Sequence, residues 1–423
     1  MTLNDWTPPP GCPAHHAPGP VQLYGADYAA DPHAVYARLR QYGPAAPVEL
    51  APGVHAVLVT SYRAALDVLR NSHLFSKDSR RWRALSDGQI PADHPLIPMM
   101  GWRPNCLFSD GSEHYRLRQA ITDSLDRVNP HVLREVVHHS ADRLITVFAG
   151  DGHADLISQY ASGLPLLVLN SLFGLDDRYS DRLITAIAAL FDSGDNATDG
   201  DSEFLRYVQD LITIKRTTPG PDITSWLMSH PAGLADEEVL HTCILIIAAG
   251  TEPVTHLIGN TLRLLLCDQR FAGNLFRGTL PISAALDEVL WEQPPMQNYA
   301  VHYPLYDVDM FGIHVAAGHP VVIGFAAANT DPDVHGGART RIGNNAHLAW
   351  SAGPHSCPAR RPARTIASAA IERLLDHLPD ITLSVPAEQL TWRPGPFHRA
   401  LNGLPVRFTP TMSATTSRRV TTS

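Results

Sequence analysis

The stretch WSAGPHSCPARRPAR, residues 350–364, places one cysteine two positions after a histidine, inside a Gly/Pro-rich turn and just ahead of three arginines. Four chemistries fit a cysteine there, and each asks something different of its neighbours. As a core residue, the usual fate of a free cysteine, Cys357 would need none of them. As part of a zinc site, His355 and Cys357 lack the second pair that a closed site requires. As a nucleophile, Cys357 has no sequence-local support. As a soft anionic ligand for a metal it is well supplied. Gly353 and Pro354 shape a tight turn, and Pro358 suits a first helical position. The positive end of the following helix favours a thiolate. Arg360, Arg361 and Arg364 add positive charge, unless they form only a solvated helix face.

A second oddity lies in LADEEVLHTCILIIAAGTEPVTHLIGNTLRLLLC, 234–267, the longest helical segment. Asp236, Glu237 and Glu238 suit its N-terminal dipole. From Val239 to Leu262 the only formally charged residue is Glu252, and Pro253 follows it at once. A carboxylate in a buried helix is costly to desolvate, and a proline there removes a backbone hydrogen bond. Two local penalties side by side suggest a functional site. A kinked core helix whose Glu reaches a surface groove is the other reading, and both stand on these residues alone.

The elements that must position these groups are mostly helical. DPHAVYARLRQYG (31–43) puts Val35, Leu39 and Tyr42 on one face. VELAPGVHAVLVTS (48–61) alternates around a Pro-Gly turn and predicts a β-hairpin, with Ser61 as N-cap of the next helix. Further helices are expected over 112–126, 131–149, 155–174, 178–193 and 363–378, and short strands, including PVVIGF, over 299–328. The expected fold is mostly α with a small β part. It forms a single large domain over 21–411 between tails at 1–20 and 412–423.

Bulk properties narrow the function classes. A chain of 423 residues, 44% hydrophobic, can bury a large core. A net charge of −9 argues against nucleic acid as the main partner. The start of the chain, MTLNDWTPPPGCPAHHAPGP, is polar and Pro-rich, unlike a signal peptide or an anchor. The most apolar run, CILIIAAG, falls far short of the roughly 18 residues that span a bilayer. A soluble, cytoplasmic protein is expected. Five cysteines (12, 106, 243, 267 and 357) with no C-x-x-C pair argue against a disulfide framework or a zinc knuckle. Only two of the 33 basic residues are lysines, which reads as the codon bias of a GC-rich bacterial genome.

With these motifs assembled, the chain resembles the cytochrome P450 haem-thiolate monooxygenases of the soluble bacterial kind, from about residue 25 to 408. The family's F-G-x-G-x-H-x-C-x-G loop appears as Trp350, Ser351, Gly353, His355, Cys357 and Ala359. The resemblance implies that Cys357 is the axial ligand of haem b (iron protoporphyrin IX), whose thiolate favours O–O cleavage in this superfamily. FSDGSEHYRLRQ (108–119) matches another family segment and implies His114 and Arg118 as donors to the haem propionates. His355 matches a further donor, and a propionate-binding arginine of the family falls on His302. Trp350 joins this cofactor-binding set. AAGTEP (248–253) aligns with the distal-helix pattern A-G-x-[DE]-T, whose acid and alcohol relay protons for dioxygen activation. Glu252 matches the acid, and Pro253 occupies the alcohol's place. Thr251 and Thr255 lie nearby, but helical spacing points neither of them in the same direction. LPLLVLNSLFGLD (164–176) and AAANTDP (326–332) match weaker family signatures.

Several positions depart from the pattern. The family's Glu-x-x-Arg appears as Glu288 to Trp291, followed by Pro294 and Pro295. Trp291 would fill the arginine's space and donate one hydrogen bond through its ring N–H. Arg339 or Arg341 would then be the cation for Glu288. Pro362 is expected to interrupt the first turns of the last helix. The chain thus resembles a divergent subgroup that lacks this arginine. Residues 80–106 should cap the distal pocket, where Met99, Met100 and Trp102 either line it or pack as ordinary loop residues. The implied function is a monooxygenase that inserts one oxygen atom from dioxygen into a small organic substrate. Electrons would come from a ferredoxin and ferredoxin reductase, docking near Arg360, Arg361 and Arg364. Two alternatives accompany it: a haem-binding partner protein with weak catalysis, and a peroxide-driven oxidase.

Overall fold

Alternating apolar residues and helix-spaced apolar faces sort the chain into short strands and long helices. In this computed structural model the described residues are 20–175, 197–268, 270–271, 281–334 and 343–411. The helix expected over 178–193, nearly all of both tails, Cys12, Arg339 and Arg341 lie outside them. The strands are β1 (Val21–Gln22), β2 (Ala45–Ala51), β3 (Val54–Val59), β4 (Phe75–Ser76), β5 (His153–Asp155) and β6 (Asn298–Pro304). After them come β7 (Val308–Met310), β8 (Ile313–Val315), β9 (Val321–Gly324), β10 (Thr382–Leu383) and β11 (Pro405–Arg407). The helices used below begin with α1 (Pro32–Leu39), α2 (Tyr62–Arg70), α3 (Gly111–Asp126), α4 (Pro130–Phe148) and α5 (Gly163–Leu172). They continue with α6 (Ala197–Thr217), α7 (Asp236–Cys267), α8 (Ile282–Glu292) and α9 (Arg360–His377). The chain is mostly α with a small β part, as expected.

The chain divides into two compact units. The first takes its described residues from Met1–Arg118, Asp287–Cys357 and Trp392–Ala400. It is built on a six-stranded sheet in the order β1-β2-β3-β9-β6-β4. The hairpin of β2 and β3 turns at Gly53, whose φ is +78°. Alternate residues of β3 enter different cores, as the pleat requires. Leu58 joins Tyr36, Leu39, Trp82 and Tyr303, whereas Val57 and Val59 join Val68, Phe75 and Phe325. Val35 and Tyr42 pack against the first of these cores, so the predicted face of α1 is the observed one. Ser61 stands at the N-cap of α2, but its side chain makes no capping bond. Instead Asp331, far along the chain, accepts the Tyr62 N–H at 2.9 Å through its carboxylate.

The second unit takes its described residues from Gln119–Leu286, Pro358–Thr391 and Leu401–Ser423. Its centre is α7, packed against α5, α6 and α9. The carboxylate of Glu238 accepts the Ala235 N–H at 2.8 Å and closes the start of α7. Judged from CILIIAAG alone, this segment was too short to span a membrane, but the whole helix is long and apolar enough. It is nonetheless 56% buried over its most apolar stretch, as a core helix is. The single helix expected over 155–174 is divided. His153–Asp155 pairs with β11 as a strand, Ile157–Ala161 forms a π-helical turn, and α5 follows. The strand exists because of its distant partner, which no local pattern reveals.

Two prolines behave differently from expectation. Pro358 lies in the turn before α9, not at its first position, since that helix starts at Arg360. Pro362 is then the third helical residue, where a backbone N–H has no intrahelical partner anyway. It therefore interrupts nothing, and the Ala363 N–H bonds the Ala359 carbonyl at 2.9 Å.

Candidate active site

The cysteine loop belongs to the first unit. It leaves a 3₁₀ turn, Leu348–Trp350, through Ser351 at φ +60° and ψ −172°. That backbone region is essentially glycine's own and strains any other residue. The Ser351 hydroxyl is also buried without a hydrogen-bond partner. Gly353, at φ +69°, has no room for a side chain, because a Cβ there would lie 2.2 Å from the Leu69 carbonyl oxygen. The Cys357 N–H then closes the loop by donating to the Trp350 carbonyl at 2.8 Å. Cys357 itself is half-buried.

Nitrogen donors gather in the same unit. His114, on α3, is buried, and its ring lies against that of His355, tilted by 38°, with centroids 3.9 Å apart. Its Nε2 is buried with no hydrogen-bond partner. Burial, with the charges of His355 and Arg118, pushes its pKa down to about 4. One turn later, Arg118 donates to the carbonyls of Pro354 and Ser356, tying α3 to the cysteine loop. The ring Nε1 of Trp350 is another buried donor without a partner. His355 Nε2 lies 3.8 Å from Asp110 Oδ1. Burial raises the pKa of Asp110, but His355, the Ser76 hydroxyl and the Lys77 backbone N–H prevail and hold it at about 2. His302, on β6, is buried with Nδ1 against the Ala300 carbonyl. Burial first, then Lys77 and His355, hold it well below the usual histidine range.

Sequence reasoning missed Lys77. Its side chain is buried, and its Nζ donates to the Val301 carbonyl at 2.6 Å. Burial pushes its pKa down to about 7, against the opposing pull of Asp110. A signal was available, because lysine is so rare in this chain. Trp291 is buried on α8 and gives its ring N–H to the Asn344 carbonyl at 2.8 Å, the one bond expected of it. Glu288 is half-buried. Met100 belongs to the core, and Met99 packs against it, which favours ordinary packing for both. Trp102 is 40% exposed, with the Arg80 guanidinium 4.5 Å from its ring.

The second unit carries the other candidate group, on α7. The helix runs unbroken through Pro253. Glu252 Oε2 sits 2.9 Å from Nε2 of His256, a buried residue one turn on. Sequence reasoning missed His256 as well, although i,i+4 spacing makes such a contact available. Around Pro253, Leu245, Ile246, Gly250 and Glu252 are half-buried and Ala249 is exposed. The threonines are turned to other tasks. Thr251 donates its hydroxyl to the Ile247 carbonyl at 2.7 Å, and Thr255 donates to the Ala161 carbonyl at 3.1 Å.

In the first unit, His114, His302 and His355 all feel the charge of Asp110, and two buried ring nitrogens, His114 Nε2 and Trp350 Nε1, lack a hydrogen-bond partner. That arrangement suits a cofactor that brings its own carboxylates, with a thiol at hand in the adjoining loop.

No family model matches the chain. Known proteins do. It is similar to the cytochrome P450 monooxygenase PikC of Streptomyces venezuelae, with 31% identity over 395 residues, 91% of this chain and 92% of PikC. It is 25% identical to 6-deoxyerythronolide B hydroxylase of Saccharopolyspora erythraea, over 91% of this chain and 98% of that enzyme. Among solved structures, CYP154C4 from Streptomyces sp. ATCC 11861 superposes with a TM-score of 0.84 at 28% identity. That match covers 93% of this chain and 99% of the other. CYP154A1 from Streptomyces coelicolor A3(2) gives a TM-score of 0.80 at 28% identity, covering 92% and 100%.

Proposed function

Since the chain belongs to the bacterial cytochrome P450 monooxygenases, we propose that it is a cytoplasmic enzyme that inserts one oxygen atom from dioxygen into a small organic substrate, drawing electrons from a ferredoxin and its reductase. Its cofactor is haem b, as in its relatives. When bound, the haem supplies dioxygen activation, and a cysteine thiolate on its iron favours O–O cleavage.

The chain's own residues divide the remaining work. Cys357 would supply the thiolate that holds the haem iron, in a loop that Gly353 and the Cys357–Trp350 backbone bond fix. His114 Nε2, His355 and Arg118 bind the haem carboxylates, where charge-assisted bonds are strongest. His302 and the Trp350 ring N–H complete the cradle. Glu252 holds a transferable proton on its carboxyl, oriented by His256. Pro253 offers no hydroxyl beside it, and Thr251 has its own bonded to the helix backbone. A substrate hydroxyl or an ordered water must therefore complete proton delivery. On α9, Arg360, Arg361 and Arg364 are the cations offered to an acidic ferredoxin, and Arg361 is exposed.

The observation that carries this reading is the buried, acceptor-less Nε2 of His114, whose ring lies against His355 two residues before Cys357. The engagement of both threonine hydroxyls beside Pro253 favours a second reading, a haem-binding partner protein of low turnover. One experiment separates the two. The purified protein is supplied with NADPH, a ferredoxin and its reductase, and a panel of ligands chosen by their shift of the Soret band. Substrate-dependent product supports the monooxygenase. Reduction without product for every ligand that binds supports the partner protein.

A further inference from the structure

The chain has two lysines, both buried, and they are not alike. Lys215 is paired with Asp222 at 2.9 Å. Lys77, which directly follows β4, forms no ion pair with any carboxylate among the described residues. Its Nζ donates to the Val301 carbonyl, and the ring centroid of Tyr299 lies 6.0 Å away. An ammonium has three N–H donors and no acceptor. Burying one without a counter-ion is costly unless an anion arrives from elsewhere. Asp110 pulls on this charge from a distance but makes no ion pair with the ammonium, and its carboxylate is bonded instead to the Ser76 hydroxyl and the backbone N–H of Lys77.

The surroundings say which anion is missing. Val301, which accepts from Nζ, directly precedes His302 on β6. Asp110, which accepts the Lys77 backbone N–H, lies 3.8 Å from His355, whose ring lies against that of His114. The ammonium therefore belongs to the donor cluster that includes the unpartnered Nε2 of His114. Haem b brings two carboxylates. We propose that Lys77 binds a haem propionate, supplying from the segment after β4 the cation that β6 lacks at His302. This inference rests on the haem-binding reading above. It makes Lys77 a cofactor-binding residue whose buried charge is balanced only in the loaded protein.

The test compares wild type with Lys77→Met, which keeps the length of the side chain and removes its charge. Three quantities are measured on the full chain: the rate of haem transfer to an excess haem-scavenging apoprotein, the ferric/ferrous midpoint potential, and urea stability with and without haem. Haem loss should accelerate roughly 10- to 100-fold, the loss of one charge-assisted hydrogen bond. The midpoint potential should fall, because a positive charge that favours the ferrous state has gone. The haem-free protein should become no less stable, since the substitution removes an unbalanced buried charge. The pH response gives the same sign. With its pKa at about 7 in the folded haem-free protein and about 10.4 unfolded, Lys77 binds more proton when unfolded between those values. Haem-free wild type should therefore gain stability as pH rises through that window, and Lys77→Met should lose that gain.

Equal haem loss and an equal potential in the two proteins would overturn the role of Lys77. So would a Lys77→Met protein destabilised alike with and without haem, which marks a packing residue. Failure of wild type to bind haem would overturn the functional reading beneath it instead.

Discussion

The cysteine loop and the middle of α7 both depart from the family pattern the chain resembles, and they absorb the changes at Ser351 and Pro253 in different ways. In the loop, Ser351 replaces a glycine yet keeps a glycine backbone, at φ +60° with its hydroxyl buried and unbonded. The geometry has stayed and the cost is strain. In α7, Pro253 stands where the resemblance puts an alcohol, the helix runs unbroken through it, and under the proposed function the cost is chemical, a missing hydroxyl beside Glu252. The backbone explains the contrast. The loop is pressed against the backbone at Leu69, so it has nowhere to relax. The backbone of α7 runs unbroken through Pro253, so the change there costs no rearrangement of the chain.

Variants can break or sharpen that contrast. Gly353→Ala should give the largest effect, loss of folded haem protein judged by yield and circular dichroism. Its new Cβ would meet a backbone oxygen at 2.2 Å, in a conformation that L side chains rarely adopt. Trp291→Arg should come next, with about 3–5 kcal/mol lost in urea denaturation, as for removal of a large buried aromatic side chain, together with poorer haem retention. A Trp291→Arg protein that held haem better than wild type would mean that Trp291 is damage and not a working substitute.

On the α7 side, Glu252→Gln should lower product formation roughly 10-fold or more, the size expected for losing one positioned acid. Pro253→Thr should raise the product formed per NADPH consumed. Equal turnover by wild type and Glu252→Gln would remove the proton role from Glu252. The smallest effect runs in the opposite direction. Ser351→Gly should gain roughly 1–3 kcal/mol in urea denaturation by relieving a strained backbone, with the haem spectrum unchanged. No gain there would mean that the loop is not strained.

What the sequence revealed follows from the range of the interactions involved. The β2–β3 hairpin, the apolar face of α1 and the extent of α7 are local patterns, and all were legible. Glu252 and Cys357 stood out because each breaks a local rule. Contacts between distant residues did not show. Ser61 promised a cap for α2, but Asp331 supplies the bond. The strand at His153–Asp155 needs β11 to exist at all. Lys77 was hidden by a compositional habit, since the scarcity of lysine looked like codon bias until both lysines proved to be buried. His256 is within reach of Glu252 by helical spacing, but one of many i,i+4 pairs carries no signal of its own in the sequence.

Every role proposed for the cysteine loop requires Cys357 to be the thiolate ligand of a bound haem. The direct measurement is the absorption spectrum of the reduced, carbon monoxide-bound protein, for wild type and Cys357→Ala. Wild type should be coloured and show the red-shifted Soret band of thiolate ligation, and Cys357→Ala should lack that band. A wild type that binds no haem, or a Cys357→Ala protein that keeps the same band, would contradict it.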